Sequence, residues 1–332
     1  MSTIAVIGAG SWGTAFAIHL ARLGHGVRLW ARDPALAADI AARRANAVYL
    51  PDAVLPEGVT PVARLEEALS GARFAVCTVP SHGVRLVVRA AAPHLAPGVV
   101  LVSGTKGLET GSLLRVSEVI RDETGAAHPI VALSGPSFAT EVARGLPAAV
   151  CVASTDSAAV ERVQAEFRGP SLRLYGSSDV VGVEIGGALK NVIAIAAGVV
   201  EGLGLGANAM AALITRGLVE VSRLACALGG QRETLAGLSG LGDLVLTCTG
   251  ELSRNHHVGV ELGKGRPLGE ILAGMKMVAE GVKTTEAAVA LGRRLGVELP
   301  IAAQMADVLG GRKTPRLAVE ELMARPQRSE LE

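Results

Sequence analysis

The sequence predicts an α/β chain, with a mostly parallel, helix-flanked sheet in its first half and an all-helical second half. Three observations predict it. Short apolar runs alternate with helical patterns up to residue 178, and the run Ile4-Ala-Val-Ile7 leads directly into a glycine-rich turn. From Asp179 onward, strand-like runs give way to long Ala-, Gly- and Leu-rich stretches. Strand–helix alternation favours parallel pairing, because each crossover helix returns the chain to the same end of the sheet.

Taken in order, the strands are expected at residues 4–7, 27–30, 74–78, 99–103, 130–133, 149–153 and 172–174, each a short apolar run. Helical patterns cover residues 12–22 and 35–44. Asp33-Pro34 reads as the N-cap and first position of the second of these. Ser177, Ser178 and Asp179 are candidate caps for a long helix running through Lys190. The boundary therefore falls near Ser178, dividing the chain into residues 1–178 and an all-helical domain, 179–332. Residues 325–332 are polar and read as a frayed end.

Composition narrows the function. The 332 residues suggest two domains, and 49% hydrophobic against 19% charged residues supply a sizeable core. A net charge of +1 gives no electrostatic reason to expect nucleic acid or an anionic membrane as partner. Only 2% of residues are aromatic, which argues against a base-stacking surface. The N-terminus lacks the basic start and apolar core of a signal peptide. The longest apolar helical stretch, residues 185–200, is interrupted by Lys190 and Asn191 and falls short of the ~20 residues of a membrane span. Cys77, Cys151, Cys226 and Cys248 are scattered, as suits a reducing cytoplasm and not a zinc site. The histidines lack metal-ligand spacing; His256 and His257 are adjacent and point apart on a helix. The expectation is a cytoplasmic chain without metal or integral membrane segment.

The turn Gly8-Ala-Gly10-Ser11-Trp12-Gly13 joins the first strand to the first helix. This G-x-G-x-x-G arrangement is the Rossmann-type dinucleotide fingerprint: Gly8 permits the tight turn, Gly10 admits the pyrophosphate, and Gly13 lets helix and strand pack closely. The helix N-terminus then offers free N–H groups to the phosphates. An acidic residue ending the second strand would bind the ribose 2′-OH of NAD, but this chain has Ala31-Arg32 there. Arg32 either faces the 2′-phosphate of NADP or is a solvated surface arginine.

Three further groups of residues carry substrate chemistry. Lys106 in Ser103-Gly-Thr-Lys-Gly, and Gly135 and Ser137 in Ser134-Gly-Pro-Ser-Phe-Ala139, follow strands at the ligand-binding edge of the sheet. Lys190 and Asn191 interrupt an apolar helix beside Gly186 and Gly187; a lysine there needs partners or a depressed pKa. Asp243 stands in a Gly-rich turn, and Ser253-Arg254-Asn255 opens a helix, with Ser253 as N-cap and Arg254 as a phosphate-matching fork. Taken singly, each segment also reads as an ordinary turn or capped helix.

Together these segments resemble the bacterial-type NAD(P)-dependent glycerol-3-phosphate dehydrogenases. Gly-Ala-Gly-Ser-Trp-Gly, Gly-Thr-Lys-Gly, Ser-Gly-Pro-Ser-Phe-Ala, Leu-Lys-Asn, Gly-Leu-Gly-Asp and Ser-Arg-Asn occur in that family's order across almost the whole chain. The resemblance implies reversible reduction of dihydroxyacetone phosphate to sn-glycerol 3-phosphate, a phospholipid precursor, with NAD or NADP. It implies that Lys190 is the general acid/base. Lys106, Gly135, Ser137, Asn191, Asp243, Ser253, Arg254 and Asn255 are then expected at the substrate. Ser11, Trp12, Arg32, Lys106, Ala139, Arg254, Val278 and Glu280 are expected at the cofactor. The expected partner is a small phosphorylated substrate, with homodimerisation left open. The nearest alternative is a 3-hydroxyacid or 6-phosphogluconate-type dehydrogenase, which also carries a lysine on a central helix. A non-catalytic dinucleotide sensor would need the first domain but not Lys190, Asp243 and Arg254.

Overall fold

The computed structural model describes residues 1–275, 277–327 and 329. The strands are β1 (Thr3–Ile7), β2 (Gly26–Trp30), β3 (Ala45–Asn46), β4 (Leu50–Val54), β5 (Val59–Val62), β6 (Phe74–Cys77), β7 (Val100–Ser103), β8 (Ile130–Ser134), β9 (Ala148–Ala153) and β10 (Leu172–Ser177). Eight of them form one sheet in the order β10-β9-β8-β7-β6-β1-β2-β5. Every neighbouring pair is parallel except β8 with β9. All seven expected strands form, with ends moved by one to three residues. The sequence reading missed β5, whose Val59-Thr-Pro-Val62 run carries a proline tolerated only at an edge. It also missed the short antiparallel β3–β4 ribbon, which lies outside the main sheet and buries little of β4.

Both faces of the sheet are covered at its centre, so β1, β6, β7 and β8 are apolar on both sides. In β1, Ile4 and Val6 face one core while Ala5 and Ile7 face the other. The first face packs on α1 (Ser11–Arg22), α2 (Pro34–Arg43), and, later in the chain, helices at Ala139–Arg144 and Ser157–Phe167. The opposite face packs on α3 (Leu65–Leu69), α4 (Val84–Ala91) and α5 (Val116–Thr124). The helices just mentioned at Ala139–Arg144 and Ser157–Phe167 are α6 and α7. From β1 the chain builds outward to β2 and β5, then returns to add β6 on the other side of β1. The carboxyl ends of β1 and β6 therefore flank the crevice at which such sheets bind ligands.

The second half contains α8 (Val180–Gly202), α9 (Gly206–Ala227), α10 (Arg232–Leu235), α11 (Asp243–Thr249), α12 (Arg254–Gly263), α13 (Leu268–Ala273), α14 (Glu280–Leu295), α15 (Pro300–Leu309) and α16 (Pro315–Met323). Of the three candidate caps, Asp179 performs the task, accepting from Gly182 N at 2.8 Å. The α8 helix is longer than expected: Lys190 and Asn191 do not shorten its apolar run. Its 23 residues are long and apolar enough to cross a membrane, yet the helix is buried within the protein. Every residue from Gly182 to Val200 is buried. It crosses α12 through facing glycines. A Cβ on Gly198 would lie 2.0 Å from His256 O, and one on Gly259 would lie 2.0 Å from Ile195 O. Val183 also packs with Ala132 and Ala153, joining α8 to the sheet. Of residues 325–332, for which a frayed end is expected, 328 and 330–332 lie outside the described residues.

Candidate active site

The glycine turn has the geometry its sequence demands. Gly8 adopts φ +119°, and its N–H donates to Trp30 O at 3.1 Å. An added Cβ on Gly13 would lie 2.0 Å from Gly8 O, so α1 begins in direct contact with the end of β1. At Gly10 an added Cβ meets no atom within 4 Å. The N-terminus of α1 has no side-chain cap, which leaves its first N–H groups free to meet an anion. These residues thus fit a dinucleotide pyrophosphate: close packing behind the turn, open space in front of it. Trp12 stacks on Phe16 at 4.7 Å and donates to Ser137 Oγ at 3.4 Å. Ser11 Oγ donates to Met277 Sδ at 2.9 Å. Arg32 is exposed at the end of β2 and makes no hydrogen bond among the described residues. Asp33 is occupied in capping α2, accepting from Ala35 N at 2.9 Å.

A buried charge cluster forms where the sheet meets the helices. Asp243 opens α11 after a single π-helical turn, Leu238–Gly242, and is 1% exposed. Its carboxylate accepts from Lys190 Nζ through Oδ1 and from Lys106 Nζ through Oδ2, both at 2.5 Å. Lys106 Nζ also donates to Gly135 O at 3.1 Å. Gly135 adopts φ +141°, and a Cβ there would strike Val150, so glycine is needed to turn that carbonyl inward. The two glycines beside Lys190 allow the close approach expected of them. A Cβ on Gly186 would lie 2.5 Å from Ser239 O, and one on Gly187 would lie 2.6 Å from Ser134 Oγ.

The pKa of Lys190 is pulled down to about 7, chiefly by burial; Asp243 opposes the shift and Lys106 adds to it. Burial alone would raise the pKa of Asp243, but Lys106 and Lys190 hold it below the usual value. Thr247, four residues after Asp243 on α11, is a partner that the sequence reading left without a role. Its Oγ1 accepts from Lys190 Nζ at 2.8 Å and donates to Asp243 O at 2.6 Å, so Lys190 is held by two groups of one helix.

Arg254 starts α12, and Ser253 caps that helix by accepting from His256 N at 3.2 Å. The surface of Arg254 is exposed, yet surrounding protein lowers its pKa by desolvation, a combination typical of a side chain lining a cleft. Asn191 and Asn255 are both buried, and Asn255 Nδ2 donates to Asn191 Oδ1 at 3.0 Å. Asn255 Oδ1 accepts from Gly281 N at 2.9 Å, so its side chain ties α8, α12 and α14 together. Glu280 begins α14. Its carboxylate accepts from Ser81 N at 3.3 Å and Ser81 Oγ at 2.6 Å, linking the helical half to the loop after β6. Nothing in the sequence marked Ser81 as that partner. Ala139 is half-buried at the start of α6, and Val278 is 40% exposed just before α14.

Comparison with known proteins accounts for this arrangement. Residues 3–160 match the model described as NAD-dependent glycerol-3-phosphate dehydrogenase N-terminus, and residues 179–320 match its C-terminus counterpart. The chain belongs to the NAD-dependent glycerol-3-phosphate dehydrogenase family. A family member from Koribacter versatilis, named glycerol-3-phosphate dehydrogenase [NAD(P)+], is 56% identical over 82% of each chain. One of the same name from Thioalkalivibrio sulfidiphilus is 54% identical over 80% of each. The crystal structure of glycerol-3-phosphate dehydrogenase from Coxiella burnetii is 41% identical with a TM-score of 0.94, covering 98% of this chain and 99% of that one. As a member of this family the chain is an oxidoreductase that uses NAD or NADP.

Proposed function

We propose that this chain reversibly reduces dihydroxyacetone phosphate to sn-glycerol 3-phosphate and that Lys190 carries the proton. The observation that supports this most is the buried lysine on Asp243, at the junction of the two halves. When bound, the nicotinamide supplies the hydride to the ketone carbon. Lys190, protonated, donates to the carbonyl oxygen as negative charge builds there, and in reverse accepts the alcohol proton. Asp243 and Thr247 orient the ammonium, while Lys106 adds positive charge beside the developing oxyanion. Gly135 and Ser137 border the same site, and Asn191 lies one residue beyond the acid.

The N-terminus of α12, with Arg254 and Ser253, is proposed to hold the substrate phosphate. Binding energy remote from the carbonyl then orients the reacting carbon. Gly8, Gly10, Ser11, Trp12 and Gly13 are proposed for the pyrophosphate side of the cofactor, with Lys106, Ala139, Arg254, Val278 and Glu280 as further cofactor contacts. Arg32 suits a 2′-phosphate; it and Lys283 both lie near enough to His82 to lower its pKa, after burial. Residues 1–178 are read as the dinucleotide-binding domain and 179–332 as the catalytic domain. A phosphorylated C3 alcohol as product fits phospholipid synthesis in the cytoplasm.

The test measures kcat/KM for dihydroxyacetone phosphate and unphosphorylated dihydroxyacetone, in the parent and in Arg254→Ala. The parent should strongly prefer the phosphate ester, and the variant should lose about ten- to a hundred-fold of that preference. An unchanged ratio would mean that Arg254 does not read the phosphate.

A further inference from the structure

Behind Lys106 lies a second polar feature. A cavity of about 10 Å³ sits between β7, β8 and α8, lined by Ser103, Lys106, Ser134, Glu184 and Gly187. Ser103 and Ser134 are only 2% and 3% exposed, and neither hydroxyl has a hydrogen-bond partner among the described residues. Buried hydroxyls are almost always paired, so two orphans lining one space point to a shared ligand. The space is at the lower end of the roughly 10–15 Å³ that one water needs. The surroundings select a neutral molecule: the Lys106 chain disfavours a cation, and Glu184 disfavours an anion.

The same region holds the segment that carries Lys106. Near its start, Thr105 Oγ1 donates to Val79 O at 2.8 Å. At its end, Arg115 Nη1 and Ser117 N each donate to Glu184 of α8 at 2.7 Å, and Ser117 Oγ does so at 2.6 Å. Between these two anchors the Lys106 stem packs against α8: a Cβ on Gly187 would lie 3.6 Å from Lys106 Cγ.

We propose that this cavity is a one-water site. The water, bound by Ser103 and Ser134, supports the Lys106 stem against α8 so that its ammonium stays on Asp243. Ser103 and Ser134 are then positioning residues. The part played by Lys106 rests on the function proposed above, whereas the water itself does not.

A high-resolution crystal structure of the full chain should show an ordered water within hydrogen-bond reach of both serine oxygens. A dry cavity, or one filled by a rotated side chain, overturns the site whatever the enzyme's substrate proves to be. The double variant Ser103→Ala/Ser134→Ala should lose the water, and kcat with dihydroxyacetone phosphate should fall about tenfold. Thermal midpoint and NAD(P)H affinity should stay near the parent's. A lowered midpoint with unchanged kcat would assign the water a structural part only and overturn the positioning role. Gly187→Ala places a methyl 2.6 Å from Ser134 Oγ and should displace the water by another route.

Discussion

Lys190 titrates near neutrality because protein has replaced water around it, and Asp243 keeps it from falling further. The sign has a kinetic consequence. Below a pH of about 7 the folded protein holds Lys190 as an acid, ready for ketone reduction; above it, as a base for alcohol oxidation. The rate of reduction should therefore decline as pH rises through that region while oxidation climbs. Removing the Asp243 charge with Asp243→Asn should move both profiles to lower pH, which steady-state kinetics from pH 5 to 9 would reveal. Lys190→Ala should lose at least ~10²-fold in kcat with cofactor binding retained. Near-normal turnover in that variant would remove Lys190 from the chemistry. Arg32 separates the cofactors: Arg32→Ala should weaken NADPH binding more than NADH binding, because only NADPH carries the 2′-phosphate. Equal effects by fluorescence titration would make Arg32 a surface residue. Lys190 and Asp243 were legible because a charge in an apolar or glycine-rich context is conspicuous. Thr247 was less so, since only the helical start at Asp243 puts the two side chains four residues apart on one face. Ser81 and Glu280 meet across 199 residues of chain, and no local pattern announces such a pair.

Strands and helices with buried faces were readable for a physical reason: each must present an apolar run of its own period. β5, with its proline, and the β3–β4 ribbon bury too little to leave that trace. The α8–α12 crossing was half-visible. The pairs Gly198/Gly202 and Gly259/Gly263 each stand four residues apart in the sequence, but which helix faces which is a tertiary fact. Their consequence is testable. In Gly259→Ala the methyl meets the Ile195 carbonyl, a backbone atom that cannot rotate away, so the helices must separate. Overpacking typically costs about 1–3 kcal/mol, and a clash with backbone should reach the upper end. Because Arg254 and Asn255 ride on α12, activity should fall as well. Gly269→Ala is the matched control: its Cβ meets no atom within 4 Å, and α13 should gain stability by up to about 1 kcal/mol. Urea denaturation of both variants decides the point; equal stabilities would show that the crossing tolerates side chains.

The two halves are joined by side chains at several places: Lys106 to Asp243, Ser81 to Glu280, Ser11 to Met277 and Arg115 to Glu184. The first of these belongs to the proposed chemistry itself, so the catalytic cluster exists only when both halves are present. α8 lies at the centre of this arrangement, covered on successive sides by α9, α11, α12, α14 and α15.

That central position makes translation a hazardous interval for the chain. The ribosome releases α8 well before the helices that cover it, the last of which, α15, ends at Leu309. At about 5–20 residues per second, the interval from residue 202 to residue 309 lasts roughly 5–20 s. Throughout it the nascent protein displays a helix with the length and hydropathy of a membrane segment. A chain stopped at residue 231 should consequently pellet with lipid vesicles or as aggregates, while the full chain stays in the supernatant. If both stay in the supernatant, the first half together with α9 suffices to shield α8. The apolar surface that gives Lys190 its unusual acidity is thus also the surface that a chaperone or a bilayer would encounter first.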